Sequence, residues 1–442
     1  MMERSEFIRE CVIEASKELG YPVMKPEQVD IVLAFIEGRD VFAVLPTGFG
    51  KSLCYACLPV ALDKILKEEV GHSIVVVVTP LLAIMKDQVA TYLSKGLSST
   101  YISGEITDSR IQSGVERGEY QLVFFTPEMI IINNRWRRVI QAEVYANRLK
   151  AFVIDEAHCV KKWGDTFRHV LKRIGEVRSL IPPAVRVMAL TATATRSDRL
   201  AVSRAIGLRN PYVLTRCPTK PNLIYSVGSF KSVEETFRAL ADKLKVQSSK
   251  FPKTIIYGQS FGMCADIYIF LKYHLGSAFT IPEDAPDIPE FRLVDMFTSV
   301  TDSNHKSQIL RLFKIDGNLR IVVATVAFGM GVDCPDVRQI VHVGLCDDIS
   351  SYLQETGRAG RDGKTSMATL LKSRTYHPVD DEIKTYVSNM TLCRRDALFG
   401  NMDNYSSPIS IVFKCMCCDI CAHSCVCGYC KANLHSFLLF NN

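Results

Sequence analysis

The sequence has no apolar run long enough to span a bilayer. Its longest apolar stretch, residues 73–85, is interrupted by Thr79-Pro80 and falls short of the ~18–20 residues that a membrane-spanning helix needs. The N-terminus (MMERSEFIRE) is charged from its third residue and contains neither the apolar block nor the small-residue cleavage site of a secretory signal. These absences predict a protein inside the cell without a membrane partner.

Concentrated charge and low-complexity sequence are also scarce. The formal net charge of the 442-residue chain is only +6, and 23% of its residues are charged. A mild positive excess permits an anionic partner but does not require one. The composition is that of an ordinary globular protein, and the length predicts two to four domains at ~100–200 residues each.

Cysteine is the one residue type that is unevenly distributed. Eight of the 16 cysteines lie between Cys393 and Cys430, and the others are scattered through apolar segments. This distribution is typical of a reduced compartment with a local metal cluster, and it disfavours a secreted disulfide scaffold.

Short apolar runs rich in β-formers alternate with longer helical stretches in two blocks. The first block contains VFAVL, SIVVVVT, YQLVFFT, AFVIDEA and VRVMALTA; after a Pro-rich polar stretch at 216–222, the second contains TIIYGQS, RLVDMFT, RIVVATVA, QIVHVGL and MATLLK. Such alternation predicts parallel sheets wrapped by helices, with ligands bound at the carboxyl ends of the strands. We therefore predict an α/β fold with domains at 1–212 and 213–372, followed by a small helical, cysteine-rich domain at 373–442.

A phosphate-binding loop follows the first of these runs. The segment Pro46-Thr47-Gly48-Phe49-Gly50-Lys51-Ser52 precedes a helix-like stretch. Glycines such as Gly48 and Gly50 let backbone N–H groups turn towards a phosphate, Lys51 reaches the β/γ oxygens and Ser52 can ligate Mg²⁺. The sequence therefore predicts ATP and Mg²⁺ as cofactors. A chance glycine-rich turn is disfavoured by the strand, loop and helix context.

Two further motifs supply chemistry for phosphoryl transfer. Asp155 and Glu156 directly follow an apolar run, so that Asp155 can hold Mg²⁺ and Glu156 can orient and deprotonate the attacking water. Arg358 and Arg361, in QETGRAGRDG at 354–363, can stabilise charge on the departing phosphate. The alternatives, an acidic surface turn and a solvated arginine face, are less consistent with the order of the motifs.

The ordered set of motifs resembles the RecQ family of superfamily-two helicases over roughly residues 15–421. The segments that carry the resemblance are TPLLAIMKDQV (79–89), FFTPE (124–128), DEAHCVKKWGDTFR (155–168), ALTATAT (189–195), IVVATVAFGMGVDCPDVR (321–338) and QETGRAGRDG (354–363). The Thr-Gly-x-Gly-Lys-Ser form of the phosphate loop is also that of helicases. The resemblance implies two tandem RecA-like (P-loop NTPase) domains with parallel sheets, followed by a small helical zinc-binding subdomain.

The function implied is that of an ATP-dependent DNA helicase with 3′–5′ polarity, which acts on single-stranded and forked DNA in repair, recombination and replication. Its compartment would be the nucleus, or the cytoplasm in a prokaryote. Two alternatives stay open: another superfamily-two motor such as an RNA helicase, and a catalytically weakened protein that only binds nucleic acid. The MKDQ motif and the Trp163 loop argue against the first, and the retained catalytic residues argue against the second.

The resemblance also assigns roles to side chains. Gln28 would recognise the adenine edge with Tyr21 and Lys25 flanking the ring, Asp333 would lie near the ribose, and Arg358 and Arg361 would lie at the γ-phosphate. The residues assigned to nucleic acid are Trp163, Phe167, Arg168 and Thr325, of which the first three form the aromatic-rich loop that links DNA binding to hydrolysis. This sequence departs from the family at Lys25, Phe49, Lys161-Lys162, Lys220 and Cys346-Asp347-Asp348.

The cysteine-rich segment resembles the zinc-binding subdomain of the family. Its predicted zinc ligands are Cys393, Cys415, Cys418 and Cys421, because four thiolates satisfy tetrahedral Zn²⁺. A rival set is Cys418, Cys421, Cys427 and Cys430, and the surplus residues Cys417, Cys425, His423 and His435 could also compete as ligands. Only twelve residues follow Cys430, too few for the winged-helix domain of many RecQ relatives, so we expect weak unwinding beside good ATP hydrolysis.

Overall fold

The computed structural model describes residues 2–80, 82–106, 108–159, 174–329, 334–373, 379–407, 414–425 and 427. The chain forms two compact units: the first runs to Cys217 and includes Met402–Asn404, and the second contains the rest from Pro218 onward. The division after Cys217 falls inside the Pro-rich polar stretch. The predicted domain limits at 212 and 372 stay predictions.

The first unit is built on a seven-stranded parallel sheet in the order β3-β4-β2-β5-β6-β1-β7. Its strands are β1 (Val41–Val44), β2 (Ile74–Val78), β3 (Ser99–Ile102), β4 (Leu122–Phe125), β5 (Leu149–Ile154), β6 (Arg186–Thr191) and β7 (Tyr212–Thr215). Its helices are α1 (Met2–Glu18), α2 (Pro26–Ile36), α3 (Leu53–Ala56), α4 (Leu58–Leu66), α5 (Leu82–Leu93), α6 (Ser109–Arg117), α7 (Pro127–Ile131), α8 (Asn134–Gln141), α9 (Glu143–Arg148), α10 (Ile174–Leu180) and α11 (Arg196–Ile206).

The central strands of this sheet are apolar on both faces because helices cover both faces. In β1, Val41 and Ala43 pack into the core on one side of the sheet, and Phe42 and Val44 pack into the core on the other. Burial of each large side chain contributes roughly 1.5–3 kcal/mol. A continuous apolar run, without polar alternation, is the pattern expected of a parallel strand buried on both faces.

The second unit is built on a six-stranded parallel sheet in the order β10-β11-β9-β12-β13-β8. Its strands are β8 (Leu223–Ser229), β9 (Thr254–Gly258), β10 (Val294–Phe297), β11 (Ile321–Ala324), β12 (Gln339–Val343) and β13 (Ser366–Lys372). Its helices are α12 (Val233–Gln247), α13 (Phe261–Leu275), α14 (Ser303–Lys314), α15 (Ile349–Thr356), α16 (Asp381–Ser388), α17 (Arg394–Phe399) and α18 (Asp419–His423), with 3-10 turns at Ser248–Lys250, Gly276–Phe279, Val326–Gly329 and Lys414–Met416.

The predicted fold class is confirmed: both units are parallel α/β sheets of the kind expected from the apolar runs. All ten runs named above coincide with strands, whereas β3, β7 and β8 had not been singled out. β3 begins Ser99-Thr100, and its polar residues weaken the apolar signal. β8 begins immediately after the Pro-rich stretch, which hides its start. Within the described ranges, no helix combines the length and the apolar character that crossing a membrane requires.

Candidate nucleotide site and cysteine cluster

The phosphate loop lies at the carboxyl end of β1. Gly48 and Gly50 have φ angles of 80° and 88°, in the left-handed region that residues with a Cβ rarely adopt. The Lys51 ammonium donates to the carbonyl of Leu45 at 3.3 Å, so that its side chain curls back over the loop. Thr47 and Ser52 are half-buried in the same loop. This conformation presents backbone N–H groups at the start of α3, as a phosphate site requires.

Gln28 contacts this loop directly. Its Nε2 donates to the carbonyls of Phe49 and Gly50 at 3.1 and 2.9 Å, and its Oε1 accepts from the backbone N–H of Lys25 at 2.8 Å. The side chain is buried at the start of α2. The structure therefore brings the predicted adenine-reading amide to the phosphate loop.

Two departures from the family pattern contact each other. The Lys25 ammonium lies 3.9 Å from the centre of the Phe49 ring and donates to the Phe49 carbonyl at 3.2 Å. A cation over an aromatic face is stabilising by ~0.5–1 kcal/mol at an exposed site. Tyr21, the other predicted adenine neighbour, lies under a different cation, because the Lys95 ammonium is 3.7 Å from its ring centre.

Gly50→Ala is expected to weaken ATP binding about tenfold or more. A Cβ on Gly50 would lie 2.7 Å from the Nε2 of Gln28, in addition to the strain of a φ of 88°, which alone costs roughly 1–2 kcal/mol for an L-residue. Gly48→Ala is the matched control, because its φ is 80° but nothing lies within 4 Å of the added Cβ. Titration with a fluorescent ATP analogue measures both. Equal losses in the two variants would show that the Gln28 contact has no influence on the loop.

The acidic motif lies at the end of β5 and is held to the same edge of the sheet as the phosphate loop. The strand β6 lies between β5 and β1, and its end receives hydrogen bonds from both sides. Leu45 N–H donates to the carbonyl of Thr191 at 2.9 Å, and Ala157 N–H donates to the carbonyl of Leu190 at 2.9 Å. Parallel pairing thus fixes the position of the motif relative to the loop.

Asp155 is a buried carboxylate beside two groups of the phosphate-loop segment. Tyr55, on α3, donates its hydroxyl to Asp155 Oδ2 at 3.4 Å. Burial and the neighbouring Glu156 carboxylate raise the pKa of Asp155 to about 6, whereas the Lys51 ammonium lowers it. An anion that is desolvated in this way favours a bound cation. The oxygen donors of Asp155 and Ser52 fit Mg²⁺, which prefers one or two carboxylate or hydroxyl ligands together with phosphate oxygens and water.

Glu156 is held in an uncommon backbone conformation. Its φ is 52°, a left-handed value that is rare for a residue with a long side chain. Its Oε2 lies 3.3 Å from Nδ1 of His158, which in turn lies 3.0 Å from the Thr191 hydroxyl. Strained backbone at the end of a central strand is typical of active sites. The histidine therefore connects the acidic motif to the ALTATAT segment at the end of β6.

Residues at the start of the second unit hold the arginine motif (354–363) in position through hydrogen bonds to its backbone. Lys220 donates to the carbonyls of Gly357 and Ala359 at 2.5 and 3.0 Å. Burial, together with the charges of Arg361 and Arg358, lowers the pKa of Lys220 to about 8. Lys220, where the resembled RecQ sequences usually have arginine, thus caps the end of α15.

A second anchor of the motif is Asn222. Its amide donates to the carbonyls of Gly360 and Lys364 at 2.9 and 2.8 Å. Gly360 has a φ of 61°, and a Cβ there would lie 2.4 Å from the same amide nitrogen. Arg358 is buried and Arg361 is half-buried. The glycine is required by the tight approach of Asn222.

Of the remaining predicted site residues, Thr325 lies in the described part of the structure and the others do not. Thr325 follows β11 and is half-buried, and its N–H donates to the carbonyl of Phe297 at 3.3 Å. Trp163, Phe167, Arg168 and Asp333 lie outside the described residues, as do Lys161-Lys162 and Cys430. The predicted contacts of these residues with DNA or ribose stay predictions.

Four cysteines converge beside the edge strand of the second unit. Ligand atoms of Cys393, Cys417, Cys418 and Cys421, which we call the first thiol group, all lie within 4.8 Å of one another. The sulfur of Cys393 is 3.5 Å from that of Cys417 and 4.0 Å from that of Cys418. With Zn–S bonds of ~2.3 Å, a tetrahedral zinc site places its sulfurs about 3.8 Å apart. The first thiol group therefore fits Zn²⁺.

The first thiol group differs from the predicted set at one position. Three predicted ligands are present, but Cys417 takes the fourth place, and Cys415 lies instead with Cys425 and Cys427. The 3-10 turn Lys414–Met416 produces this difference, since it ends with Cys417 N–H bonded to the carbonyl of Lys414 at 3.1 Å. The turn separates Cys415 from Cys418, whose backbone is extended and bridged to Tyr225 of β8.

Backbone donors support the first thiol group. The N–H groups of Arg394 and Cys421 both donate to the Cys418 sulfur at 3.4 Å. N–H donors of this kind stabilise a thiolate and orient it for a metal. Hydrogen bonds from Cys417 and Cys418 lower the pKa of the Cys393 thiol. The pKa values of the Cys417, Cys418 and Cys421 thiols are raised by their sulfur neighbours and by burial, so Cys393 is the thiol of this group that loses its proton most readily.

Two buried arginines that the sequence reasoning had not assigned hold the cluster to the second sheet. Arg394 forms a bidentate pair with Asp419 at 2.9 and 3.1 Å, and Asp419 also accepts from Val227 N–H of β8 at 3.0 Å. Arg395 is 1% exposed and donates to Thr219 Oγ1 at 2.9 Å and to the carbonyl of Lys220 at 2.7 Å. The adjacent charges in Cys393-Arg394-Arg395 were the available signal.

Family models match both units. A model described as DEAD/DEAH box helicase matches residues 25–200, and one described as helicase conserved C-terminal domain matches residues 235–363. Together they cover most of the chain, including the phosphate loop, the acidic motif and the arginine motif.

Curated relatives extend the likeness over nearly the whole chain. The ATP-dependent helicase wrn-1 of Caenorhabditis elegans is 30% identical over 93% of this chain and 38% of its own length. The ATP-dependent DNA helicase RecQ of Pasteurella multocida is 31% identical over 82% of this chain and 51% of its own length. The chain thus spans about half, or less, of the length of these relatives.

Solved structures share the fold. The structure of Dbp5 from S. cerevisiae, bound to RNA and ADP BeF3, matches with a TM-score of 0.63 at 15% identity, covering 89% of this chain and 92% of that one. At this level of identity the likeness establishes the two-unit α/β fold alone.

Proposed function

We propose that this chain, which matches the DEAD/DEAH box helicase and helicase C-terminal domain models and is about 30% identical to a RecQ helicase, is an ATP-driven motor that moves on DNA and separates its strands. The observation that supports this proposal best is the shared sheet edge of the first unit. There, the phosphate loop and the acidic motif are both hydrogen-bonded to the end of β6. Such an arrangement is suited to hydrolysis of a nucleoside triphosphate.

Different residues of the first unit bind the phosphates, hold the metal ion and accept the proton during hydrolysis. Lys51 neutralises the β/γ oxygens of ATP, and the loop N–H groups between Gly48 and Ser52 bind the phosphate chain. Ser52 and Asp155 would hold Mg²⁺, which when bound offsets the negative charge of the phosphates. Glu156 accepts the proton of the attacking water, and its carboxylate is oriented by the left-handed backbone beside His158.

Adenine recognition is assigned to Gln28. Its amide nitrogen lies 2.9 Å from the Gly50 carbonyl. The same side chain would therefore contact both the bound base and the phosphate loop. The assignments of Tyr21, Lys25 and Asp333 to the nucleoside, and of Arg358 and Arg361 to the γ-phosphate, are supported by the motif resemblance.

DNA is favoured over RNA as the nucleic acid along which the proposed motor moves. Several relatives that share about 30% identity carry names that specify DNA, such as the ATP-dependent DNA helicase RecQ of Pasteurella multocida. The fold itself is shared with proteins bound to RNA and with the helicase MrfA bound to DNA, and so it does not separate the two substrates. Single-stranded and forked DNA, 3′–5′ polarity, a role in repair, recombination or replication, and a location in the nucleus, or in the cytoplasm of a prokaryote, are proposed with the resemblance.

The deciding experiment compares ATP hydrolysis by residues 1–442 without nucleic acid, with single-stranded DNA and with RNA of the same sequence. We expect DNA to stimulate hydrolysis at least tenfold and RNA to have little effect. Stronger stimulation by RNA would replace the DNA proposal with the RNA-helicase alternative. No stimulation and no hydrolysis would support the catalytically silent binding protein.

Trp163→Ala is expected to reduce this stimulation without weakening ATP binding. Aromatic side chains that stack on bases contribute ~1–3 kcal/mol each and tolerate any sequence, so the loss corresponds to roughly a five- to hundredfold higher DNA concentration for half-maximal stimulation. Trp136 provides the matched control, because it is buried against Phe125 in the core of the first unit. Trp136→Phe should leave the DNA dependence unchanged. An unaltered DNA dependence in Trp163→Ala would return that residue to a structural role.

A further inference from the structure

A second group of thiols lies in the same cysteine-rich segment. Ligand atoms of Cys415, Cys425 and Cys427, which we call the second thiol group, all lie within 4.8 Å of one another. The Cys427 sulfur is 3.5 Å from that of Cys415 and 3.4 Å from that of Cys425. None of the three belongs to the first thiol group, which is complete with four sulfurs of its own.

The second thiol group combines one cysteine before α18 with two cysteines that follow α18. Cys415 is 3% exposed and lies in the 3-10 turn Lys414–Met416, close to the point where the backbone of Cys417 accepts from Tyr225 N–H of β8 at 3.4 Å. Cys425 follows α18 and is partly exposed. The chain therefore turns back after α18 so that its later cysteines meet an earlier one that is fixed on the sheet.

The number and spacing of the sulfurs favour a metal over a disulfide. A disulfide requires two sulfurs about 2.05 Å apart and would leave the third thiol unused, whereas the observed separations are close to the ~3.8 Å edge of a tetrahedral zinc–thiolate site. Soft thiolate donors select zinc over magnesium or calcium. All three sulfurs are used when they ligate one ion.

We propose that the second thiol group binds a second Zn²⁺, so that the chain carries two zinc ions. Three thiols lose their protons to solvent and form three Zn–S bonds, with no change in oxidation state. Within the described ranges the group has three ligands, and the fourth coordination position is filled by water or by another side chain. The ion links the segment after α18 to the turn before it and closes a loop from Cys415 to Cys427.

Metal stoichiometry tests this inference on the full chain purified in reducing buffer with zinc present. Mass spectrometry of the metal should give two zinc ions per wild-type chain and one in Cys425→Ser and in Cys427→Ser. Cys217→Ser, which removes a cysteine outside both groups, should retain two. One zinc ion in the wild type, or two in either variant of the second group, would overturn the proposal.

Alkylation of the wild-type protein provides a readout that does not depend on the folding of variants. With zinc bound, Cys415, Cys425 and Cys427 should resist iodoacetamide, and a chelator of moderate affinity should expose them before the four cysteines of the first group, because three protein ligands hold the ion less firmly than four. Rapid alkylation of all three in zinc-loaded protein would exclude the site. A disulfide detected among them in reducing buffer would exclude it as well.

Discussion

Glu156→Gln is expected to lower the rate constant of ATP hydrolysis by about 100-fold or more while ATP remains bound. General-base catalysis typically contributes 10²–10⁴-fold, and an amide of the same size cannot accept the proton of the attacking water. The substitution preserves side-chain volume at a site that is only 9% exposed. A folded, nucleotide-bound and inactive protein is therefore the expected state.

Lys51→Ala should have a different defect, because the proposed partners of its ammonium are the phosphates themselves. Its removal should weaken ATP binding and hydrolysis together, whereas Glu156→Gln should affect hydrolysis alone. Binding of a fluorescent ATP analogue and single-turnover hydrolysis separate the two effects. Glu119→Gln is a suitable control, since Glu119 is an exposed glutamate paired with Arg117 on the surface of the same unit. Wild-type turnover in Glu156→Gln would contradict the assignment of the base.

The sequence was informative where one physical requirement dominates. A strand buried on both faces must be apolar, and hence the runs that became β1, β2 and β5 could be recognised without any knowledge of the fold. A phosphate loop needs left-handed glycines, and Gly48 and Gly50 supply them. Both requirements are local, so they appear directly as a pattern of residues.

Contacts between segments that are far apart in the sequence were harder to predict from it. The pairing of Lys25 with Phe49 connects two departures that are 24 residues apart, and neither substitution alone indicates the other. The choice between Cys415 and Cys417 depends on a 3-10 turn, which the spacing of cysteines does not specify. The buried ion pair of Arg394 with Asp419 likewise could not be predicted from the sequence, because its role depends on the contact of Asp419 with β8 in the folded unit.

The first thiol group should determine the stability of the whole cysteine-rich segment. A zinc ion bound by the first thiol group would link Cys393 to Cys417, Cys418 and Cys421, and structural zinc sites supply folding free energy directly. A bound ion would also restrain Asp419, which follows Cys418 in the sequence and whose carboxylate joins Arg394 to the backbone of β8. Loss of zinc would weaken this restraint on the buried pair of Arg394 and Asp419, and complete loss of one partner of such a pair costs about 3–5 kcal/mol.

Cys418→Ser is therefore expected to remove one zinc ion per chain and to destabilise the second unit by about 4 kcal/mol or more, the range of substitutions that abolish a metal site. Cys418 is fully buried, accepts two backbone N–H bonds and forms a bridge with Tyr225 of β8, so serine cannot replace its thiolate. Thermal unfolding followed together with zinc release should show both changes, whereas Cys217→Ser should show neither. Because the proposed phosphate loop lies in the first unit, ATP binding should persist at temperatures where the second unit of the variant has unfolded. A variant that loses its zinc yet unfolds at the wild-type temperature would show that the ion has no structural role.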